Sequence, residues 1–126
     1  YSQQEEHVEI RIIDHGGVPI AEVSAGAGEI ADVQNALDLL ADANNQGASR
    51  LLLQEQHLAP SFYDLRSGLA GEILQKFVNY QTRLAVTGDF DKYTSKSLHA
   101  FILECNRGRD FTFCADRDAA LARLTR

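Results

Sequence analysis

The sequence predicts a single-domain α/β fold built on a mainly parallel five-stranded sheet with an N-terminal β-hairpin. Two short alternating segments flank the dipeptide Gly16-Gly17, which is typical of a hairpin turn. After the hairpin, helical and strand-like patterns follow one another regularly, and such alternation requires right-handed crossovers between parallel strands. The length of 126 residues suits one domain with one hydrophobic core. Neither a repeat nor a linker divides the chain.

Each predicted element has its own periodicity or boundary signal. Apolar–polar alternation marks the strands, and apolar residues at three- and four-residue spacing mark the helices. Gly47 and Gly108 stand where helices end, and Asp116 stands where the last helix begins. Residues 1–6 are polar and aperiodic, so we expect them to be disordered or frayed and residues 7–126 to form the domain. The predicted elements are strands at 7–13, 18–23, 50–54, 83–87 and 109–114, and helices beginning near Glu29, Ser67, Thr94 or Ser95, and Asp116.

Composition and charge narrow the classes of function. The chain is 44% hydrophobic and 24% charged, as in an ordinary globular domain. A net charge of −6 argues against binding to nucleic acid or to an anionic membrane, because both repel an acidic protein. No apolar run approaches the roughly 20 residues that span a bilayer, and no signal-peptide pattern opens the chain. We therefore expect a protein partner, with no nucleic acid or membrane partner.

The two cysteines indicate a reducing compartment. Cys105 lies on the apolar face of a predicted helix, and Cys114 lies at the end of a predicted strand. Two cysteines are too few for a disulfide framework, and their separation is not a metal-ligand spacing. We predict buried free thiols and a cytoplasmic location. Because the chain contains no methionine, an earlier targeting segment that has been removed stays an open alternative.

The most informative stretch is the predicted helix start after the third strand, Ser67-Gly68-Leu69-Ala70-Gly71. A helix start presents unpaired backbone N–H groups and a positive dipole end, which suit an anion or a phosphorylated serine. Ser67 has two compatible interpretations: a capping residue, or a regulatory phosphoacceptor with Arg66 beside it. Gly68 and Gly71 weaken the helix, so we expect them to allow close approach to the sheet or to a partner.

This helix start resembles that of STAS domains, which occur in anti-sigma-factor antagonists and sulfate transporters. In that family the strand is followed by Asp-Ser-Ser-Gly-Leu-Gly, and Arg66-Ser67-Gly68-Leu69-Ala70 aligns with its Ser-Ser-Gly-Leu-Gly part. The resemblance implies a STAS-like fold for residues 7–126 and places Ser67 at the position that a partner kinase phosphorylates. Two departures weaken the implied kinase recognition: Arg66 replaces the first serine, and Asp64 lies three residues before Ser67 instead of two.

A longer resemblance, covering nearly the whole chain after residue 7, is to a small bacterial domain family of uncharacterised function. The shared motifs are Phe62-x-Asp64-Leu65-x-Ser67-Gly68-Leu69-Ala70-Gly71-Glu72-Ile73-Leu74-Gln75-Lys76-Phe77, Gly88-Asp89-Phe90-x-Lys92-Tyr93-x-Ser95-Lys96-Ser97-Leu98 and Glu104-x-Asn106-Arg107-Gly108. These motifs are long and specific, and they imply a family without implying a reaction.

Titratable residues after the predicted strands leave a second kind of site open. They follow strands at the carboxyl edge, where open α/β sheets bind ligands. Clustered carboxylates suit a divalent cation or acid–base chemistry, whereas aspartate is also common in turns and caps. We predict no metal site, no catalytic residue and no cofactor. The residues are Glu55, His57, Asp64, Asp89, Asp91 and Asp116.

One local segment of this acidic chain is basic: it contains Lys92, Tyr93 and Lys96 and, further on, Arg107 and Arg109. A solvated helix face accounts for the pattern, and binding of an acidic partner or a phosphate is the alternative. Tyr93 is either an exposed aromatic anchor or a lid over the helix start.

These observations together predict a non-enzymatic protein-interaction or regulatory module that is switched at the helix-start serine. The alternative is a small enzyme, or a ligand- or metal-binding protein, that uses carboxylates at the carboxyl edge of the sheet. Self-association as a homodimer is a third possibility. The candidate binding or phosphoacceptor residues are Ser67, Gly68, Asp64, Arg66, Asp89, Tyr93, Ser95 and Lys96.

Overall fold

The computed structural model describes residues 8–126, which form one mixed sheet with helices on both faces. The strands are β1 (Glu9–His15), β2 (Val18–Ser24), β3 (Arg50–Gln54), β4 (Arg83–Thr87) and β5 (Phe111–Cys114). They lie in sequential order in one five-stranded sheet, in which β1 is antiparallel to β2 and the other neighbours are parallel. The predicted α/β class with its hairpin and mainly parallel sheet is confirmed. The predictions for residues 1–6 and for His7 lie outside the described residues.

Five α-helices and three 3₁₀ turns connect or follow the strands in residues 8–126. The helices are α1 (Val33–Asn45), α2 (Pro60–Tyr63), α3 (Leu69–Asn79), α4 (Lys96–Arg107) and α5 (Arg117–Leu124). The 3₁₀ turns are Glu55–His57, Leu65–Ser67 and Phe90–Lys92. None of these helices is both long and apolar enough to span a membrane.

The hairpin turn is formed by Gly16 and Gly17, whose φ angles are 61° and 87°. His15 pairs with Val18, so the loop has two residues, and two positive φ angles in succession match the twist of the flanking strands. Asp14 Oδ1 accepts the Gly17 N–H at 2.9 Å. Strand β1 therefore continues two residues beyond its predicted end, up to the glycines themselves.

The two faces of the sheet are covered by different helices. Sequential order with right-handed crossovers carries α1, α3 and α4 to the same face, where they form the larger core with Leu51 and Leu53 of β3. Leu52, between these two, points to the other face, because side chains alternate along a strand. There it packs with Leu121 and Leu124 of α5, which follows the last strand and is free of the crossover rule.

The parallel strands give the sheet two chemically different edges. We call the carboxyl edge the ends of β3, β4 and β5 with the segments 55–68, 88–95 and 115–116, where helices begin. We call the amino edge the starts of these strands with the segments 106–110 and 123–126, where α4 and α5 end. Helix N-termini with unpaired N–H groups therefore collect at the carboxyl edge, and helix C-termini with unpaired carbonyls collect at the amino edge.

Helix α1 begins at Val33, four residues after the predicted start at Glu29. Ile30 forms an isolated parallel bridge with Leu58 and is 1% exposed. The Asp32 side chain then caps the helix by accepting a backbone N–H of its first turn. The prediction was wrong here because Ile30 is buried against the segment after β3 and does not belong to the helical repeat.

Both cysteines are free thiols, as predicted, but each is half-buried and not fully buried. Burial, together with the neighbouring Glu104 charge, raises the pKa of the Cys105 thiol to about 11. The pKa of Cys114 is also raised, mainly by burial. Both side chains are therefore protonated thiols at neutral pH, which makes them weak nucleophiles.

Candidate functional site

Ser67 lies exposed at the carboxyl edge, at the end of the 3₁₀ turn Leu65–Ser67. Its hydroxyl donates to the Ser61 carbonyl at 2.7 Å and accepts the Leu69 N–H at 3.1 Å. Helix α3 starts two residues later than predicted, and its N-cap is Gly68. The predicted hydrogen bond from the serine oxygen to the helix start exists, but Ser67 makes it from the position before the cap.

Two glycines shape this helix start in different ways. Gly68 has a φ of 80°, a left-handed conformation that glycine adopts without steric cost. Gly71 is exposed, and a Cβ added there would meet no atom within 4 Å. Gly71 therefore makes no close approach to the sheet, contrary to one of the two roles expected for it. It leaves a bare helix surface facing solvent.

Asp64 and Arg66 form a local pair just before Ser67. Asp64 Oδ1 accepts both the backbone N–H and Nε of Arg66, each at 3.2 Å, and so caps the 3₁₀ turn. These hydrogen bonds, the side-chain one first, hold the pKa of the Asp64 carboxyl below its usual range. The Arg66 side chain is 92% exposed, so most of this cation faces solvent.

An open cavity of about 450 Å³ lies between this segment and the start of α4. Asp64 and Arg66 line one side of it, and Ser95 lines the other. The Ser95 hydroxyl caps α4 by accepting a backbone N–H at 3.1 Å, and the exposed Lys96 follows it. Three of the predicted binding residues thus meet at one surface, which also carries Ser67 nearby in the chain.

Glu55 organises this edge, although it belongs to the alternative set and was not among the predicted binding residues. It follows β3 directly and is 8% exposed. Its Oε2 accepts Lys92 Nζ at 2.7 Å and the Tyr93 hydroxyl in a short hydrogen bond. The carboxylate also accepts the backbone N–H of Asp89. We call Glu55, Lys92 and Tyr93 the Glu55 latch, because they join the segments that follow β3 and β4.

Opposing effects act on the Glu55 carboxyl. Burial is the largest and favours the protonated form, while hydrogen bonds from Lys92 and Tyr93 and the Lys92 charge favour the carboxylate. The contacts prevail together, and the pKa of Glu55 lies below its ordinary value of 4.5. Glu55 is therefore a carboxylate at neutral pH, the form that accepts hydrogen bonds from Lys92 and Tyr93.

An aromatic pair covers the latch. The rings of Tyr63 and Tyr93 stack with centroids 5.1 Å apart and planes inclined by 25°. The Tyr63 hydroxyl donates to the backbone carbonyl of Glu55 at 2.8 Å. Burial raises the pKa of both tyrosines, so both hydroxyls stay protonated donors at neutral pH. Beside the stack lies an open cavity of about 370 Å³, which Gly28 and Lys92 also line.

Gly88 is required by the Glu55 latch. A Cβ added at Gly88 would lie 2.5 Å from Glu55 Cβ and 2.7 Å from its Oε1, which is closer than non-bonded atoms approach. A side chain there would displace either Glu55 or the segment after β4. The sequence Gly88-Asp89-Phe90 indicates a loop, but its local pattern does not say which segment the glycine touches.

The carboxylates of the alternative site do not converge. Asp89 and Asp116 each accept a backbone N–H from their own loops, at 3.2 and 2.8 Å, and Asp64 does the same. His57 is 3% exposed, its Nδ1 accepts the Gln54 N–H at 3.1 Å, and burial lowers its pKa. Within residues 8–126 no group of three His, Cys, Asp or Glu side chains is placed to hold a metal ion. Asp64, Asp89 and Asp116 each bond to an unpaired backbone N–H close by in the chain, as aspartates in turns and caps do.

The basic segment predicted from the sequence is divided between the two edges. Lys92 and Lys96 lie at the carboxyl edge, whereas Arg107 and Arg109 line a cavity at the amino edge. The 12 residues of α4 lie between the two groups and span about 18 Å. The segment is therefore not one surface, and its members belong to different sites.

The fold and this edge define a small α/β domain whose carboxyl-edge loops are joined by a buried, ion-paired glutamate. A protein family described as "Domain of unknown function (DUF4180)" matches residues 15–124, and the chain therefore belongs to that family. This confirms the predicted membership of an uncharacterised domain family. Among curated proteins no match is found. The resemblance to STAS domains is not confirmed by these comparisons and stays a prediction.

Proposed function

We propose that this protein is a non-enzymatic interaction module that docks a protein partner at the carboxyl edge of its sheet. The observation that carries the proposal is the Glu55 latch. It joins the loops after β3 and β4 through a buried carboxylate and hydrogen bonds. The docking residues of the same edge, such as Arg66, Ser67 and Ser95, are exposed. A preformed surface of this kind binds a partner without the entropy cost of ordering mobile loops. The docking residues proposed are Ser67, Gly68, Asp64, Arg66, Ser95 and Lys96.

The polar side chains of the carboxyl edge bond to the loops around them, and for this reason we propose no catalysis there. A reaction requires a nucleophile or an acid–base group aimed at a point shared with other functional groups. At this edge Asp64, Asp89 and Ser95 each accept a backbone N–H of a neighbouring turn, and Glu55 is held by Lys92. These side chains hold the loops in shape, which is the arrangement expected of a binding surface.

Ser67 is the proposed switch of this module, and the STAS resemblance supports the same residue. The hydroxyl is exposed and donates to the Ser61 carbonyl, a hydrogen bond that a phosphate ester would abolish. The phosphate would also add negative charge beside Arg66 and the start of α3, where cations and helix N–H groups favour it. We place this module in the cytoplasm, where protein kinases and free thiols both occur.

Capture of partners from a lysate of the native cell tests the proposal. Ser67→Glu adds a negative charge to the docking surface, and Arg66→Glu reverses a positive one. The control, Ser49→Glu, adds a negative charge at an exposed serine remote from that surface. We expect at least one captured protein to change about tenfold in yield with both surface variants and to be unaffected by Ser49→Glu, as measured by quantitative mass spectrometry. Equal yields across all the variants would overturn the proposal.

A second candidate function is binding of a small ligand in the cavity beside the Tyr63–Tyr93 stack. The favouring observation is that this cavity of about 370 Å³ combines an aromatic surface with the Glu55–Lys92 ion pair. Ala27→Phe would fill the cavity from its rim. If a metabolite raises the Tm of the wild type but not of this variant, the ligand function gains support. If partner capture persists in the same variant, docking and ligand binding are separate.

A further inference from the structure

The amino edge concentrates positive charge in a chain of net charge −6. Five arginines line a single open cavity of about 410 Å³ there, together with backbone from the end of α4. With Arg50, which starts β3, they make up six of the twelve Lys and Arg residues of the sequence. The cavity arginines are Arg83, Arg107, Arg109, Arg123 and Arg126.

The direction of the strands and helices brings these residues together. Arg50 and Arg83 start neighbouring parallel strands and are paired in register. Helix α4 runs opposite to the strands, so its last residue, Arg107, returns to the same edge, and Arg109 lies just before β5. Helix α5 likewise ends there, next to Arg123. The cluster is therefore a product of topology, since its members come from separate parts of the chain.

Backbone carbonyls hold the guanidinium groups in place. Arg83 Nη1 donates to the carbonyl of Arg126 at 3.1 Å, and its Nε donates to that of Arg109 at 3.2 Å. Arg123 Nη2 donates to the carbonyls of Asn106 and Gly108 at 2.8 and 2.9 Å. The carbonyls of Asn106, Gly108 and Arg109 are neutral dipoles, so these contacts leave the positive charge of the donating guanidinium groups uncompensated.

In the part of the chain that the structure describes, the arginine cluster has few carboxylate partners and one unpaired hydrogen-bond donor. Arg83 Nη2 is buried and has no hydrogen-bond partner in residues 8–126. Of the five cavity arginines, Arg107 alone forms an ion pair with a carboxylate side chain in that range, with Glu104 at 3.1 Å. Burial, and then repulsion from Arg50 and Arg109, lowers the pKa of Arg83, against the charge of Asp110. An anion in the cavity would relieve the repulsion between these guanidinium groups.

We propose that the amino-edge cavity is a binding site for a small phosphate anion of the diphosphate class, represented by inorganic pyrophosphate. Guanidinium groups bind phosphate oxygens through paired N–H donors, and several of them around one cavity suit an anion with several charges. Among residues 8–126 the cavity is lined by arginines, Asn106 and Gly108, and by no aromatic or aliphatic side chain on which a nucleobase could stack. This favours the phosphate group itself over a nucleotide.

Titration calorimetry with pyrophosphate tests the site. Arg109→Gln removes an exposed side chain that donates no hydrogen bond within the described chain, so folding is expected to be unaffected. Loss of one charge-assisted hydrogen bond should weaken pyrophosphate binding about tenfold or more. Arg83→Lys keeps the charge but loses the planar fork, and it should also weaken binding. Arg11→Gln, which removes a 75% exposed arginine side chain from strand β1, is the matched control and should bind as the wild type does.

We expect one pyrophosphate per chain and weaker binding of inorganic phosphate and sulfate. Sodium chloride at matched ionic strength and an oligonucleotide serve as comparison titrants. The proposal is overturned if Arg11→Gln weakens binding as much as Arg109→Gln does, or if chloride reproduces the heat. Tighter binding of the oligonucleotide or of ATP through the same arginines would refute the small-anion assignment. Because the variants at the two edges are different, this result is independent of the docking proposal.

Discussion

Both edges of the sheet contain helix ends with unpaired backbone groups, and each edge satisfies these groups with side chains of a different kind. At the carboxyl edge, side-chain oxygens from Asp64, Asp89, Ser95 and Asp116 satisfy the N–H groups where helices and turns begin. At the amino edge, guanidinium groups such as that of Arg123 satisfy the carbonyls where helices end. The direction of the chain in a parallel α/β fold therefore sorts acceptors to one edge and donors to the other.

The edges differ in how completely their charges are balanced. The buried carboxylate of Glu55 is balanced by Lys92, and the exposed Asp64 is balanced by Arg66. The amino-edge arginines have few carboxylate partners in the described residues, and Arg83 keeps an unused buried donor. The carboxyl edge, where we propose docking, thus has its charges paired, whereas the amino edge, where we propose anion binding, has an excess of positive charge.

Gly88→Ala should break the carboxyl edge and gives the largest effect that we predict. The new Cβ would lie 2.5 Å from Glu55 Cβ, so the Glu55 latch or the adjacent turn must move. Overpacking of this kind costs about 1–3 kcal/mol. Urea unfolding would measure the lower free energy of unfolding. A variant as stable as the wild type would contradict the proposed close contact.

The loss of stability at acid pH should distinguish the contribution of Glu55 from those of the other titratable groups. The folded-state pKa of His57 is lowered, so the stability it contributes is present above about 6.5 and is lost as the pH falls further. The folded-state pKa of Glu55 is also lowered, so its contribution is present above 4.5 and is lost below that value. In Glu55→Gln we expect lower stability at neutral pH and a smaller further loss below pH 4.5 than in the wild type.

The matched control for this pH profile is Glu72→Gln. Glu72 is an exposed glutamate in the first turn of α3 and forms no ion pair within residues 8–126. Thermal unfolding across the acid range should therefore give the wild-type profile for this variant. If Glu55→Gln and the wild type lose stability in parallel below pH 4.5, the Glu55 latch does not carry the acid response.

Gly71→Ala should have the smallest effect and the opposite sign. An added Cβ meets no atom within 4 Å, and alanine is favoured over glycine in a helix by up to about 1 kcal/mol. Urea unfolding should show a small rise in the free energy of unfolding. If this more stable variant captures less partner, the docking surface includes the start of α3. A destabilised variant would mean that Gly71 serves the fold.

Local chemistry predicted the caps well and the loops poorly. Asp116 caps α5 as expected, and of the two residues predicted to begin α4, Thr94 and Ser95, the cap is Ser95. Caps can be predicted because a capping side chain bonds to an N–H only three residues away. The start of α1 was misjudged, since Ile30 satisfies its backbone by pairing with a distant segment. The one-turn helix α2, whose start is signalled by Pro60, was not predicted, because three or four residues carry too little periodicity.

The candidate site was predicted in part. Asp64, Arg66 and Ser95 were named from the sequence and meet at one cavity. Glu55 stood in the alternative set, and Gly88 was named only as the first residue of a motif shared with the uncharacterised family. Neither could be assigned its role, because the contact between them joins two loops and leaves no periodic pattern in either.

The amino-acid sequence by itself determined the number, type and order of the strands and most helices, the hairpin turn and the family. These properties depend on periodicity, turn glycines and capping bonds that act within a few residues. Tertiary structure alone decided that Tyr93 bonds to Glu55, 38 residues away, and that Arg83 bonds to Arg126, 43 residues away. Such contacts arise only when parallel strands align their ends and the helices return to them. The charges that define each edge are thus brought together by the geometry of the chain and not by their spacing along it.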